Sequence, residues 1–193
     1  MKKILALALM LFAANMLPAL AAPPPAIPAP KILVIDRAAI LTQSKVGQDV
    51  ARQARAYSDQ AKADLAAQAK SLQAQEQALQ QQIAILAPDV KNQKIKEFQG
   101  KEAALQALVT KKEQMIQYGN YLATQQIAAA VGPIVKQLMQ ERGANMVLDR
   151  NSVVSASDNS FDITVVAIDR LNQKLSSLKV NLASPPAGAG VAQ

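Results

Sequence analysis

Between positions 45 and 142 the apolar residues recur at helical spacing, on a background of Ala, Gln and Lys that is nearly free of aromatics. Leu65, Leu72, Leu79 and Leu86 repeat every seven residues, accompanied by Ala61, Ala69 and Ile83, which makes a thin coiled-coil seam. The pattern breaks once, at Ala87-Pro88-Asp89. It resumes in Phe98, Leu105, Leu108, Met115 and Leu122 and continues through Ile127, Val131, Ile134 and Leu138. Arms of about 40 and 50 residues at about 1.5 Å per residue reach about 60 to 75 Å, so the segment predicts a long antiparallel hairpin with its tip near residues 87–91. Gly132-Pro133 predicts a bend where the return arm rejoins its base, because Pro removes a helical hydrogen bond. Glu141-Arg142-Gly143 reads as a helix end with Gly in the left-handed conformation.

The period shortens on either side of the hairpin. Ile32-Leu33-Val34-Ile35 is a β-branched run, Asp36 is placed to cap a small helical turn through Leu41, and Thr42 or Ser44 starts the first arm. After Gly143, residues 145–149 and 152–156 predict two strands about a turn at Arg150-Asn151. Asp162 then caps a last helix whose apolar face is Ile168, Leu171, Leu175 and Leu178. The predicted fold class is therefore α+β, mostly α, with a small β-body from residues 31–44 and 143–180 and a hairpin from residues 45–142. A sheet so small cannot cover a core, and pairing of strands between identical chains in a closed ring would complete it.

The ends change the picture by placing the chain. Lys2 and Lys3 precede an apolar run from Ile4 to Phe12, and Ala19-Leu20-Ala21 has the small-x-small pattern of a cleavage site, so residues 1–21 read as a secretory signal peptide. The apolar run is well short of the roughly 20 residues that span a bilayer. No Cys follows it to carry a lipid. Residues 22–30 hold five Pro and predict an extended linker, and residues 181–193, rich in Ala, Gly and Pro, predict a disordered tail. Loss of Lys2 and Lys3 lowers the formal net charge from +7 to +5, still basic. For an exported chain this favours anionic lipid, acidic polysaccharide and acidic unfolded polypeptide over nucleic acid.

Candidate chemistry is thin. The sequence has no His, Cys or Trp, so imidazole, thiolate and the usual metal-ligand sets cannot be built, and it has no Gly-rich phosphate loop. No enzyme, cofactor or metal is expected. Asp36, Asp149 and Asp162 read as caps and turn residues.

The segment Lys31-Ile32-Leu33-Val34-Ile35-Asp36, with Ser44-Lys45-Val46-Gly47 opening a long helix, resembles the start of the Skp/OmpH periplasmic chaperones. So do Gly143-Ala144-Asn145-Met146-Val147-Leu148-Asp149, Val153-Val154 and Asp162-Ile163-Thr164 leading into Ala167-Ile168-Asp169-Arg170-Leu171-Asn172. The resemblance covers residues 31–178. It implies a jellyfish-like homotrimer whose intermolecular β-body would use Ile32, Val34, Ile35, Val147, Leu148, Val153 and Val154. It also implies that unfolded outer-membrane proteins are held between the helical tentacles without ATP. Such a container needs many weak apolar contacts and diffuse positive charge. Ile85, Leu86, Phe98, Met115, Tyr118, Tyr121 and Leu122 are candidates for the first, and Lys91, Lys94, Lys96 and Lys101, with Lys111 and Lys112, for the second. The competing assignments are the arms' own seam for the apolar residues and an ordinary solvated face for the lysines. Contact with anionic lipid or lipopolysaccharide is a further expectation. The alternative function is a periplasmic adaptor or spacer whose hairpin links envelope components.

Overall fold

The computed structural model describes residues 28–156 and 158–186. The predicted signal peptide and most of the Pro-rich linker lie outside the described residues, as do residues 187–193 of the predicted tail. Contacts divide the chain into Met1–Pro30 and Lys31–Gln193. The described residues of the first unit, Pro28, Ala29 and Pro30, are exposed and have no regular structure.

In the second unit, strand β1 (Ile32–Ile35) leads into helix α1 (Arg37–Gln43), then α2 (Lys45–Ile83), α3 (Pro88–Arg142), strand β2 (Met146–Asp149), a 3-10 turn (Arg150–Ser152) and α4 (Thr164–Lys174). Helices α2 and α3 are the hairpin. At about 1.5 Å per residue their 39 and 55 residues extend about 59 and 83 Å. The break at residues 84–87 is short because Pro88 sits at the first position of α3, where its missing N–H costs nothing.

Local chemistry explains the joints. Asp36 Oδ1 accepts from the Ala39 N–H at 2.8 Å and so caps α1. Ser44, fully buried, caps α2 by accepting from the Gly47 N–H at 3.1 Å, while its own N–H closes α1 on the Ile40 carbonyl at 3.2 Å. At the far end of α3, Gly143 takes φ 61°, and the Ala144 N–H returns 2.8 Å to the Met139 carbonyl.

Strands β1 and β2 pair in parallel, Ile32 with Met146 and Ile35 with Asp149, so the whole hairpin is the crossover between them. The other edge of β1 is covered by residues 161–163, where the Val34 N–H donates 2.8 Å to the Phe161 carbonyl and the Ile163 N–H donates 2.9 Å to the Val34 carbonyl. The second strand predicted at residues 152–156 does not form. Asp149 Oδ1 accepts from the Asn151 N–H at 3.0 Å and coils the chain into the 3-10 turn, so no hairpin forms. Val153 is left half-buried outside any strand and Val154 wholly exposed.

Helix α3 continues through Pro133, which lies on the exposed side while Val131 and Ile134 anchor the helix inward. Two other expectations change. Helix α4 stops at Lys174, and Leu175 and Leu178 lie on an extended strap packed back on the arms. That strap stays packed past residue 180, with Val180 buried and Leu182 against the core, so residues 181 and 182 do not belong to a disordered tail. The base also has a core without a second chain. Leu33, Ile35 and Ile40 meet Val46 and Val50 of α2, Ala123, Ile127, Ile134 and Leu138 of α3, and Ile163, Ala167 and Leu171 of the last segment. Each Val, Leu or Ile among them contributes about 1.5 to 3 kcal/mol on burial, and each Ala less.

Three ion pairs clasp the surface of this base, Arg37 to Asp149, Arg150 to Asp162 and Arg170 to Glu141. The Arg37 guanidinium and the Asn151 N–H hold the Asp149 carboxyl below its ordinary value, and Arg170 does the same for Glu141. For Asp162 partial burial pushes upward, but the Thr164 N–H and hydroxyl and Arg150 outweigh it, so its pKa is lowered as well. These carboxyls take up protons at higher pH when unfolded than when folded. Their stabilisation is therefore complete above the ordinary carboxylate values of 3.8 and 4.5 and is lost as the pH falls through the depressed folded values. Melting followed by circular dichroism is expected to be flat from about pH 8 to 5 and to drop steeply below about pH 4, less so in high salt. A midpoint that already falls between pH 7 and 5 would contradict this.

Candidate functional site

Burial along the hairpin is uneven. The buried residues of α2 are Val46, Gly47, Val50 and Ala61, and those of α3 begin at Gly119. No residue from 62 to 118 is buried. The seam leucines Leu65, Leu72, Leu79, Leu105 and Leu108 are half-buried. Two side-chain bridges cross between the arms, Lys101 Nζ to Gln75 Oε1 at 2.6 Å and Lys112 Nζ to Asp64 Oδ2 at 2.8 Å. The latter, with Gln60, lowers the Asp64 pKa. Openings remain beside the bridges. One of about 440 Å³ lies beside Leu72, Ala104 and Leu105, and one of about 280 Å³ beside Tyr57, Ala61, Leu108, Met115, Ile116 and Leu182.

The predicted site residues fall into separate places. At the tip, Ile85 is 85% exposed and Val90 is exposed beside it, Leu86 is half-buried, and Lys91, Lys94 and Lys96 follow within the first turns of α3. Among the described residues these three lysines form no ion pair. The aromatic Phe98 is half-buried, on the seam side. Lys101 Nζ donates across the arms to the Gln75 amide oxygen, and because that partner is neutral the lysine keeps its charge. Nearer the base, Met115 lines the smaller opening, and Tyr118 and Tyr121 stack on one face of α3 with ring centroids 6.1 Å apart, Tyr121 about half exposed. Leu122 is half-buried beside them.

The residues predicted for the β-body also divide. Val34 and Ile35 are buried within their own chain and are not free to meet another one. Ile32 and its partner Met146 are exposed at the start of the sheet, Val147 and Leu148 are half-buried, and Val154 projects fully. The outer edge of β2 has no strand beside it among the described residues.

Sequence reasoning missed the groove at the arms' roots, where Gln53, Tyr57 and Ile116 face the strap. Its signal was available in the alternation Leu178, Val180, Leu182, which a helix period does not produce. Among the described residues no group of His, Cys, Asp and Glu is arranged to hold a metal, and no helix is long and apolar enough to cross a membrane.

Comparison with known proteins agrees with this layout. A search of curated proteins found no match. Among solved structures, the chain is similar to a candidate outer membrane chaperone (OmpH-like) from Caulobacter crescentus CB15. The TM-score is 0.74 at 20% sequence identity, over 86% of this chain and 97% of that one, a likeness that speaks for the fold. The model of the family described as outer membrane protein (OmpH-like) matches residues 31–171, which take in β1, both arms, β2 and most of α4. The chain belongs to the OmpH-like family of outer membrane proteins.

Proposed function

We propose that the chain is a periplasmic chaperone that holds unfolded outer-membrane β-barrel proteins, without ATP, in the space bounded by the helical arms of a homotrimer. The observation that carries this is the contrast in burial along the hairpin. The arms are rooted in a packed core, yet from residue 62 to residue 118 nothing on either arm is buried. About 33 Å of α2 and about 46 Å of α3 are thus maintained with their apolar residues half open to the surroundings. Shallow, scattered contacts of this kind suit a cargo that must be held loosely and released, because no deep pocket traps it. The uncommitted lysines near the tip add diffuse attraction for acidic unfolded chains. Beside them, Ile85 and Val90 form an apolar point suited to anionic lipid or lipopolysaccharide. Trimerisation is supported by the open edge of β2 and by Ile32, Met146 and Val154, which expose apolar surface at the same end of the molecule.

Mass photometry of the mature chain, with and without a urea-unfolded outer-membrane barrel protein, tests the proposal. The expected result is a trimer that takes up one barrel chain and keeps it soluble, more effectively at 50 mM salt than at about 500 mM, where charges more than a few Å apart are screened. Substituting Lys91, Lys94 and Lys96 by Gln is expected to remove most of that salt dependence and to leave capture at high salt unchanged. A monomer indifferent to the barrel chain would favour the spacer function. Selective capture of an inner-membrane transporter would favour the adaptor.

A further inference from the structure

Past the family-matched region, which ends at residue 171, the chain leaves α4 and returns along the roots of both arms. Residues 178–182 read Leu-Lys-Val-Asn-Leu, and burial alternates with them. Leu178, Val180 and Leu182 face inward, while Lys179 and Asn181 face out. The groove holds this segment largely by its backbone. Gln53 uses both ends of its amide, Nε2 donating 2.7 Å to the Leu178 carbonyl and Oε1 accepting from the Val180 N–H at 3.0 Å. The Tyr57 hydroxyl donates 3.3 Å to the Val180 carbonyl. Asp49 Oδ2 fixes the Gln53 amide at 2.8 Å, so the reader is itself oriented. On the opposite wall Gly119 lets the strap in. A Cβ there would stand 2.8 Å from the Asn181 carbonyl oxygen and 3.3 Å from Val180 Cγ1.

A site that reads backbone amides and accepts every second side chain recognises a conformation and a pattern, with little dependence on which apolar residues supply it. Strands of membrane barrels carry that pattern, apolar and polar in alternation. The groove also continues past the strap, because Leu182 borders the 280 Å³ opening that runs on to Met115 and Leu108 with Lys111 and Lys112 beside it. We propose that this groove is a binding site for extended, alternately apolar stretches of unfolded barrel chain, and that residues 178–182 occupy it as an internal surrogate which cargo displaces. The proposal rests on the holdase function above and adds to it a defined subsite and a built-in competitor. A strap docked nine times in ten lowers the apparent affinity of the site for cargo about tenfold.

The test uses the full chain carrying Val180→Asp, which cannot bury residue 180 and so ejects the strap while leaving both walls of the groove intact. A fluorescent peptide of residues 176–184 is expected to bind this variant saturably and the unsubstituted chain about tenfold more weakly or not at all. A scrambled peptide without the alternation is expected not to bind, and unfolded barrel protein is expected to compete the peptide off. The variant is also expected to hold the barrel protein about tenfold more tightly. Gly119→Ala provides a second route. It is expected to raise exchange of the Val180 amide at least about tenfold while the amides of α2 and α3 stay protected, with the same gain in cargo affinity. Failure of the peptide to bind either variant, with helicity retained, overturns the proposal. Should the unsubstituted chain hold barrel protein and the variants hold it no better, the surrogate role is refuted and the holdase function stands. Should no version hold barrel protein, both fall.

Discussion

Gly47→Ala is expected to lower the unfolding free energy by at least about 3 kcal/mol, near the top of the range for overpacking substitutions, and so to threaten the whole molecule. Gly47 lies in the first turn of α2 and has ordinary helical φ, so backbone strain has no part in this. The cause is a close approach. A Cβ at position 47 would stand 1.9 Å from the Leu41 carbonyl oxygen and 2.7 Å from its carbon. Those are backbone atoms of α1, and they cannot swing aside as a side-chain end would. Ile40 beside them is buried in the core, and Ser44 bonds both the Ile40 carbonyl and the Gly47 N–H. Relief therefore requires α1 to lift off α2, which would pull Ile40 out of the core and strain the Asp36 contacts with Ala39 and Thr164. Urea unfolding followed by circular dichroism measures the loss. For comparison, Ser44→Ala deletes one capping bond and is expected to cost about 1 to 2 kcal/mol. A Gly47→Ala protein within about 1 kcal/mol of the parent would mean that α1 and α2 are not packed this closely.

Ile134→Ala is expected to cost about 3 to 4 kcal/mol, as truncation of a fully enclosed aliphatic side chain leaves a cavity as well as losing transfer energy. Ile134 is fully buried, between Val131 and Leu138 on the inward stripe of α3, and packs in the cluster that joins both arms to β1 and α4. Leu105→Ala, the same kind of truncation in the distal arm, removes a side chain that is only half-buried and is expected to cost about 1 kcal/mol. The comparison tests the burial contrast on which the functional proposal depends. If the two substitutions cost the same, the distal arms are packed as tightly as the base and hold no open surface for cargo. Denaturant midpoints of the two variants, taken with the slope held common, give the answer directly.

The hairpin was legible because helical periodicity is a local property. Seven-residue spacing of Leu65, Leu72, Leu79 and Leu86, one Pro at the break and Gly at the end mark both arms without reference to anything distant. The site residues were legible only as a type. Lys91 and Lys101 look alike in sequence, and the difference between them arises because Gln75, 26 residues away along the chain, comes within 2.6 Å of one and not the other. Val34 and Val154 likewise share a composition and a predicted role, yet one is buried between β2 and residues 161–163 and the other stands fully in the open.

Periodicity, capping residues and the two end segments were enough to establish a mostly helical hairpin on a small mixed base, its family likeness and the absence of His and Cys chemistry. Tertiary packing settled the rest. It put residues 161–163 beside β1, coiled residues 150–152 into a 3-10 turn where a hairpin was expected, carried α3 through Pro133, filled the base with helical side chains from a single chain, and folded residues 175–182 back into the groove between the arms. Short-range dihedral and spacing preferences are written residue by residue. Which weak strand pairs with which, and which apolar triplet is buried, are instead differences of a few kcal/mol between competing long-range contacts.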